Sequence, residues 1–127
     1  MTGRGNVQTH TFRLVADATG AASDTKIIKG ILRMVVVEYD GSSAAGTDTT
    51  VTGLIQGGPG AGVTVTYLTR TDVNTSFVAF PYAFSQSNAG VASTTIYTAP
   101  FPIDNVVTAS IAQQTAGLGA TITLFVE

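Results

Sequence analysis

Apolar residues recur at every second position through most of this chain, and that period restricts it to extended structure. Phe12, Leu14 and Ala16 alternate with Thr11, Arg13 and Val15, and Val63, Val65 and Tyr67 with Thr64 and Thr66. Val107, Ala109 and Ile111 alternate with Thr108 and Ser110, and Ile122, Leu124 and Val126 with Thr121, Thr123 and Glu127. A helix burying one face would need an apolar period of about 3.6 residues. Val, Ile and Thr fill these runs, and their branched Cβ atoms suit a pleated strand better than a helical turn. Helix is therefore expected to be minimal, at most a turn near Ala21–Thr25. Ile31–Tyr39 is apolar on both faces, as expected of a central strand covered on each side.

Turn residues punctuate the runs at Thr19-Gly20, Asp40-Gly41-Ser42-Ser43, Gly57-Gly58-Pro59-Gly60, Ser87-Asn88-Ala89-Gly90 and Gly117-Leu118-Gly119. The spacing predicts about eight strands, over 7–16, 26–40, 48–56, 63–71, 76–84, 93–98, 105–113 and 120–127. Short strands joined by glycine-rich turns predict an all-β chain, a single antiparallel β-sandwich or barrel. At 127 residues one core serves the whole sequence. Residues 1–8 read as a polar N-terminal arm and 9–127 as the sandwich domain.

Charge is scarce. Charged residues make up 11% of the chain, against about 25% in typical soluble proteins. Thr, Ser, Ala, Gly and Gln occupy the positions outside the core instead, and such small neutral groups lose little on leaving water compared with charges. A surface of this kind points to burial against protein partners or further copies of the chain. The net charge of -2, with only six Lys and Arg, leaves no basic run for phosphate contacts, so no nucleic-acid partner is expected. Without cysteine there is no disulfide framework, thiol nucleophile or zinc–thiolate site. Ile31–Val37, interrupted by Arg33, is the longest apolar run and falls far short of the about 20 residues that span a bilayer, so no membrane partner is expected. The N-terminal residues lack an apolar h-region, and no signal peptide is expected.

Chemistry-bearing residues do not assemble into a catalytic pattern. His10 is the single histidine and reads as a solvent-facing strand residue; no nucleophile elbow accompanies it. Asp40, Asp48, Asp72 and Asp104 fall near strand ends and could in principle supply oxygen ligands to calcium, but the spacing of a dedicated calcium loop is absent. Glu38 and Glu127 are the only glutamates; Glu38 is expected to face solvent or pair with a lysine. Gly57–Gly62 lacks the lysine and hydroxyl that end a phosphate-binding loop and reads as a hairpin tip. Asn74-Thr75-Ser76 matches the N-glycosylation pattern without the signal peptide that would give it meaning. No cofactor, no metal and no catalytic residue is expected.

The aromatic run Phe77, Phe80, Tyr82 and Phe84 is the most informative cluster. On one continuous strand, Phe80, Tyr82 and Phe84 share a face, either as core or as exposed anchors of the kind that dominate interfaces. Pro81 cannot donate to a ladder, so the strand is at an edge or bulged there. The candidate interface residues are Thr2, Arg4, Asn6 and Val7 of the arm, with Phe80, Tyr82 and Phe84.

Three segments carry a family resemblance. Gly30, Leu32, Val35, Val37 and Tyr39 form one strand pattern; Thr47-Asp48 with Thr50-Val51 forms a second. The closing hairpin runs from Pro102-Ile103 through Val107, Ala109, Ile111 and Ala116-Gly117 to Ile122, Leu124, Phe125 and Val126. Together they resemble small β-sandwich proteins encoded among the head and structural genes of tailed bacteriophages. The resemblance rests on strand patterning, and the arm and the aromatic run have no counterpart in it. It implies a non-enzymatic virion component made in the host cytoplasm, foremost a capsid decoration (cement) protein binding the major capsid protein or other virion proteins, in many copies or as a homo-oligomer. A tail-tube or head–tail connector subunit is the alternative within that class. A carbohydrate-binding module with Tyr67, Tyr82 or Tyr97 as its platform is the alternative outside it.

Overall fold

The computed structural model describes residues 7–41, 46–55, 61–86, 92–100 and 102–127, with side chains described except at 82–86, 92–100, 102, 104 and 105. The chain is all-β: β1 (Gln8–Val15), β2 (Ala22–Tyr39), β3 (Thr47–Leu54), β4 (Thr64–Val73), β5 (Phe77–Ala79), β6 (Tyr82–Gln86), β7 (Ala92–Pro100), β8 (Pro102–Ala112) and β9 (Gly119–Val126). No helix occurs among the described residues. Every pairing is antiparallel, in the order β1-β9-β2-β8-β3-β4, with β5 added to β2 and a separate β6-β7 hairpin. No described strand joins β1 to β4, so the sheet is open and sandwich-like rather than a closed barrel.

β2 organises the molecule. Its first half, Ala22–Ile31, pairs with β8; its second half, Leu32–Tyr39, pairs with β9, and Val35–Val37 also pair with β5. The strand thus passes from a ladder of β2-β8-β3-β4 into a ladder of β1-β9-β2-β5. Strands that switch sheets do so at bends or bulges, and both are present at the crossing. Gly30 has φ 137°, and the register slips between Leu32 and Met34. Any side chain at position 30 would meet Val126 Cγ1 at 2.4 Å and the Glu127 carbonyl oxygen at 2.8 Å, so only glycine fits the crossing.

The inward residues of both ladders form one core. Phe12 and Leu14 of β1, Ile122, Leu124 and Val126 of β9, Leu32, Val35 and Val37 of β2, Val107 and Ile111 of β8, and Val51 of β3 are buried in a single cluster. Between β2 and β3, the Tyr39 hydroxyl shares a 2.6 Å hydrogen bond with Thr49 Oγ1. Burial pushes the Tyr39 phenol above its ordinary pKa, against the lowering effect of that hydrogen bond. Gln114 is buried at the turn before β9, where its backbone N–H donates to the Gly20 carbonyl at 3.0 Å.

Several strand expectations change. β2 begins at Ala22, so the turn expected near Ala21–Thr25 is extended strand. The expected 76–84 strand breaks at Phe80-Pro81 into β5 and β6, as a residue without an N–H requires. β1 starts at Gln8, within the segment read as the arm. In β2, Val35 and Val37 are buried and Met34 and Val36 half-buried, so the second face of that strand is only partly covered.

Arg13 on β1 clasps Asp40 beyond β2 through both guanidinium nitrogens, one contact being 2.8 Å from Nη1 to Oδ1. The Gly119 N–H also donates to Asp40 Oδ2 at 3.0 Å. The Arg13 hydrogen bond is the largest cause holding the Asp40 carboxyl below its ordinary value of 3.8. A carboxylate held low in the folded state stabilises it above the unfolded pKa and loses that contribution as pH falls through the folded one. Asp40→Asn is therefore expected to flatten the acid limb of a plot of melting temperature against pH below about pH 5. The near-neutral end of the curve should move little, because the pair is solvent-exposed. An acid limb identical to the parent's would contradict the assignment. Asp17, also held low by its Thr19 hydrogen bond, supplies the slope that remains.

Candidate functional site

The outer face of the β1-β9-β2-β5 ladder carries an apolar groove of about 530 Å³, lined by Val7, Thr9, Arg33, Met34, Phe80 and Phe125. Register explains its position. Thr9 stands opposite Phe125, and Phe125 opposite Met34, so these three lie side by side across three strands. Val7 enters just before β1 and Phe80 just after β5; they are 60% and 62% exposed, which leaves large apolar surface in water. Arg33, at the bulge of β2, bends to Glu127, with Nε and Nη2 at 2.9 and 2.5 Å from Oε1. Its charge is thereby spent at the groove rim and the groove itself stays apolar.

Of the expected interface residues, Val7 and Phe80 come together in this groove although seventy-odd positions separate them in the chain. Thr2, Arg4 and Asn6 lie outside the described residues, as do the side chains of Tyr82 and Phe84. The strand break at Pro81 removes the basis for a shared face of Phe80, Tyr82 and Phe84. Phe77 is half-buried against the core, tilted on Tyr39 with ring centroids 6.3 Å apart and carrying the Arg70 guanidinium 4.4 Å above its ring. Met34 and Phe125 were not singled out from sequence. Phe125 nevertheless falls in phase with Thr121 and Thr123, the residues that alternation places on the outer face.

The second ladder has a different outer face. Its pairings align Ile27, Val106, Leu54 and Thr64 in one row across β2, β8, β3 and β4. The next row is Thr25, Thr108, Thr52 and Thr66, and the third is Ser23, Ser110, Thr50 and Thr69. The alternate residues Ile28, Val107, Ala109 and Val51 are buried, so these rows point away from the core. Eight hydroxyls thus form a two-by-four grid beside a row that is apolar at three of its four positions, Thr64 being the fourth, and no charge interrupts the twelve positions. Among the described residues, no strand covers the outer edge of β4 or of β1.

The titratable residues do not converge. His10 lies on the inward side of β1 in phase with Phe12 and Leu14, half-buried, and its Nε2 is buried without a hydrogen-bond partner among the described residues. That corrects the expected solvent-facing histidine: the period of the strand turns it inward. Asp48 accepts from the Asp72 N–H at 3.0 Å and from Gln113 Nε2 at 3.1 Å, while Asp40 is held by Arg13. No group of three or more His, Asp or Glu gathers among the described residues, and the Asp104 side chain lies outside them. Glu38 is exposed. Tyr67 is 5% exposed and packed in the core, so it cannot serve as a sugar platform; Tyr97 lies outside the described side chains. A hollow of about 390 Å³ beside Asp17 offers one carboxylate whose Oδ1 already accepts from the Thr19 N–H and hydroxyl and the Ala21 N–H.

Comparison of this chain with protein-family models, with curated proteins and with solved structures finds no match.

Proposed function

We propose that this chain is a non-enzymatic structural protein of a bacteriophage virion, a capsid decoration protein that binds the major capsid protein. The observation that carries the reading is the apolar groove between Val7 and Phe80, on a surface where charge is scarce. A contiguous apolar recess whose one charged lining residue, Arg33, is ion-paired with Glu127 is suited to an apolar anchor from a protein partner. The strand pattern that resembles phage head proteins supplies the class of partner. Each copy would add a modest contact, and many copies together would strengthen a shell by mass action.

Mixing the purified protein with capsid particles and measuring the bound fraction after sedimentation tests this. Phe80→Asp is expected to lower apparent affinity by about tenfold or more, the scale set by interface aromatics worth ~2 kcal/mol. Its melting temperature should stay near the parent's, because Phe80 is mostly exposed. Equal binding of Phe80→Asp and parent would remove the groove from the contact, and no binding of either would remove the decoration role. Ring-shaped assemblies with no shell binding would move the protein to a tail-tube or connector position.

A further inference from the structure

The neutral grid on the outer face of the β2-β8-β3-β4 ladder is a separate surface from the groove and lies on the other ladder. We propose that it is a self-association face, which takes the same face of a second copy of this chain. A hydroxyl both donates and accepts, so a Ser/Thr grid is complementary to itself. No charge has to leave water when two such faces meet, whereas a charged partner surface would lose hydration with nothing of opposite sign to meet it.

The layout of the rows selects one arrangement. A two-fold axis running parallel to the strands, between β8 and β3, places β8 over β3 of the second copy and β2 over its β4. Each row then faces its own counterpart. The apolar row of Ile27, Val106 and Leu54 meets the same apolar row, with Val106 over Leu54, and hydroxyls meet hydroxyls. An axis at right angles to the strands would set the apolar row against a hydroxyl row. Ile27, 79% exposed in the single chain, then lies over Thr64 of the second copy and beside its Leu54, whereas the crossed arrangement would set it against the row of Ser23 and Ser110.

Area sets the strength. Strand spacings near 4.8 Å and i to i+2 spacings near 6.7 Å give the twelve positions a footprint of about 400 Å². That is roughly half of the ~800 Å² per partner of a standard stable complex. The pairing is accordingly weak in dilute solution and becomes effective where copies are held close together, as on a repetitive particle. The face requires only a second copy and does not depend on what fills the groove.

The chain has no cysteine, so cross-linking reports on the arrangement without background. In the proposed pairing Thr25 faces Thr66 of the second copy, while the two Thr25 side chains stand roughly 17 Å apart, three strands across and one sheet spacing deep. Thr25→Cys and Thr66→Cys proteins, mixed and treated with a short bismaleimide, are expected to give mixed dimers several-fold in excess of either like pair. Sedimentation of the parent should show a mass that rises with concentration, and Thr108→Lys at the centre of the grid should abolish the rise with the fold intact. Equal yields of mixed and like dimers would overturn the arrangement. A parent that stays monomeric at every concentration and gives no mixed dimer would overturn the face itself. Loss of particle binding in Thr108→Lys without any self-association would also overturn it, and would hand the surface to the shell. Failure of the decoration reading shows separately, as absence of particle binding by the parent and by Phe80→Asp alike.

Discussion

Phe12→Ala is expected to reduce the unfolding free energy by about 3–5 kcal/mol, the cost of emptying a large aromatic site in a packed core. The ring is fully buried, paired in register with Ile122 and capped by the Lys26 ammonium 5.6 Å from its centroid. Among the described residues β1 pairs on one side only, with β9, so little neighbouring structure can collapse into the space. Native domains are stable by about 5–15 kcal/mol in total, so a loss of that size takes a large share. Urea unfolding of the variant beside Val15→Ala, an exposed neighbour on the same strand, measures it. A difference of about 1 kcal/mol or less between the two would contradict the position of Phe12 in the core.

Gly119→Ala is the second large effect, and its cause is crowding rather than a void. A Cβ at this position would lie 1.8 Å from the Leu14 carbonyl oxygen and 2.9 Å from its carbon. Neither atom is the end of a flexible side chain. The same residue donates its N–H to Asp40 and accepts the Asp40 N–H on its carbonyl at 2.9 Å. The backbone must shift at the junction of β1, β2 and β9 together, and overpacking of this kind costs about 3 kcal/mol. Thermal melting of Gly119→Ala beside Gly117→Ala separates crowding from backbone conformation. Gly117 has φ 86° and open space where its Cβ would stand, so it suffers conformational strain alone. A smaller loss at position 119 than at 117 would overturn the crowding account.

The sequence signals differ in how far they reach. Alternation within β1, β8 and β9 was readable because each contributes one face to a single core, and period two then decides which side chains are inward. His10 obeyed that rule too; its polarity suggested solvent, but its phase with Phe12 and Leu14 turned it in. The start of β2 was hidden because Ser23 to Ile27 are all exposed, so the first half of that strand shows no burial pattern to read. In β3, Thr47 and Thr49 are buried while Thr50 and Thr52 point outward; chemically identical residues on both faces leave no contrast.

The candidate surfaces were legible only in fragments. Val7 and Phe80 are legible separately as candidate interface residues, one in the arm and one in an aromatic run that also reads as core, but their meeting depends on β5 adding to β2 beside β9. Met34 and Phe125 join them through a register that no single strand contains. The hydroxyl grid is more extreme. Each strand supplies a Ser/Thr pair two or three residues apart, which reads as ordinary solvent-facing strand. The grid exists only once three pairings bring the pairs level, and a one-residue slip in any of them would scatter it.

β2 belongs to both ladders, and this bears on how the molecule comes apart. Two sheets held together only by side-chain packing can slide or separate while each keeps its own hydrogen bonds. Here the covalent chain passes through both, and its central residues are hydrogen-bonded on either side. Peeling β8 away from β2 loosens Gly30 and Ile31, and these lead directly into the bulge that seats Met34 against Phe125. Loss of order in one layer is thus carried along the strand into the other, and the two layers open as one cooperative unit. A contact that clamps either outer face therefore stiffens the far side as well, through the backbone rather than through the core.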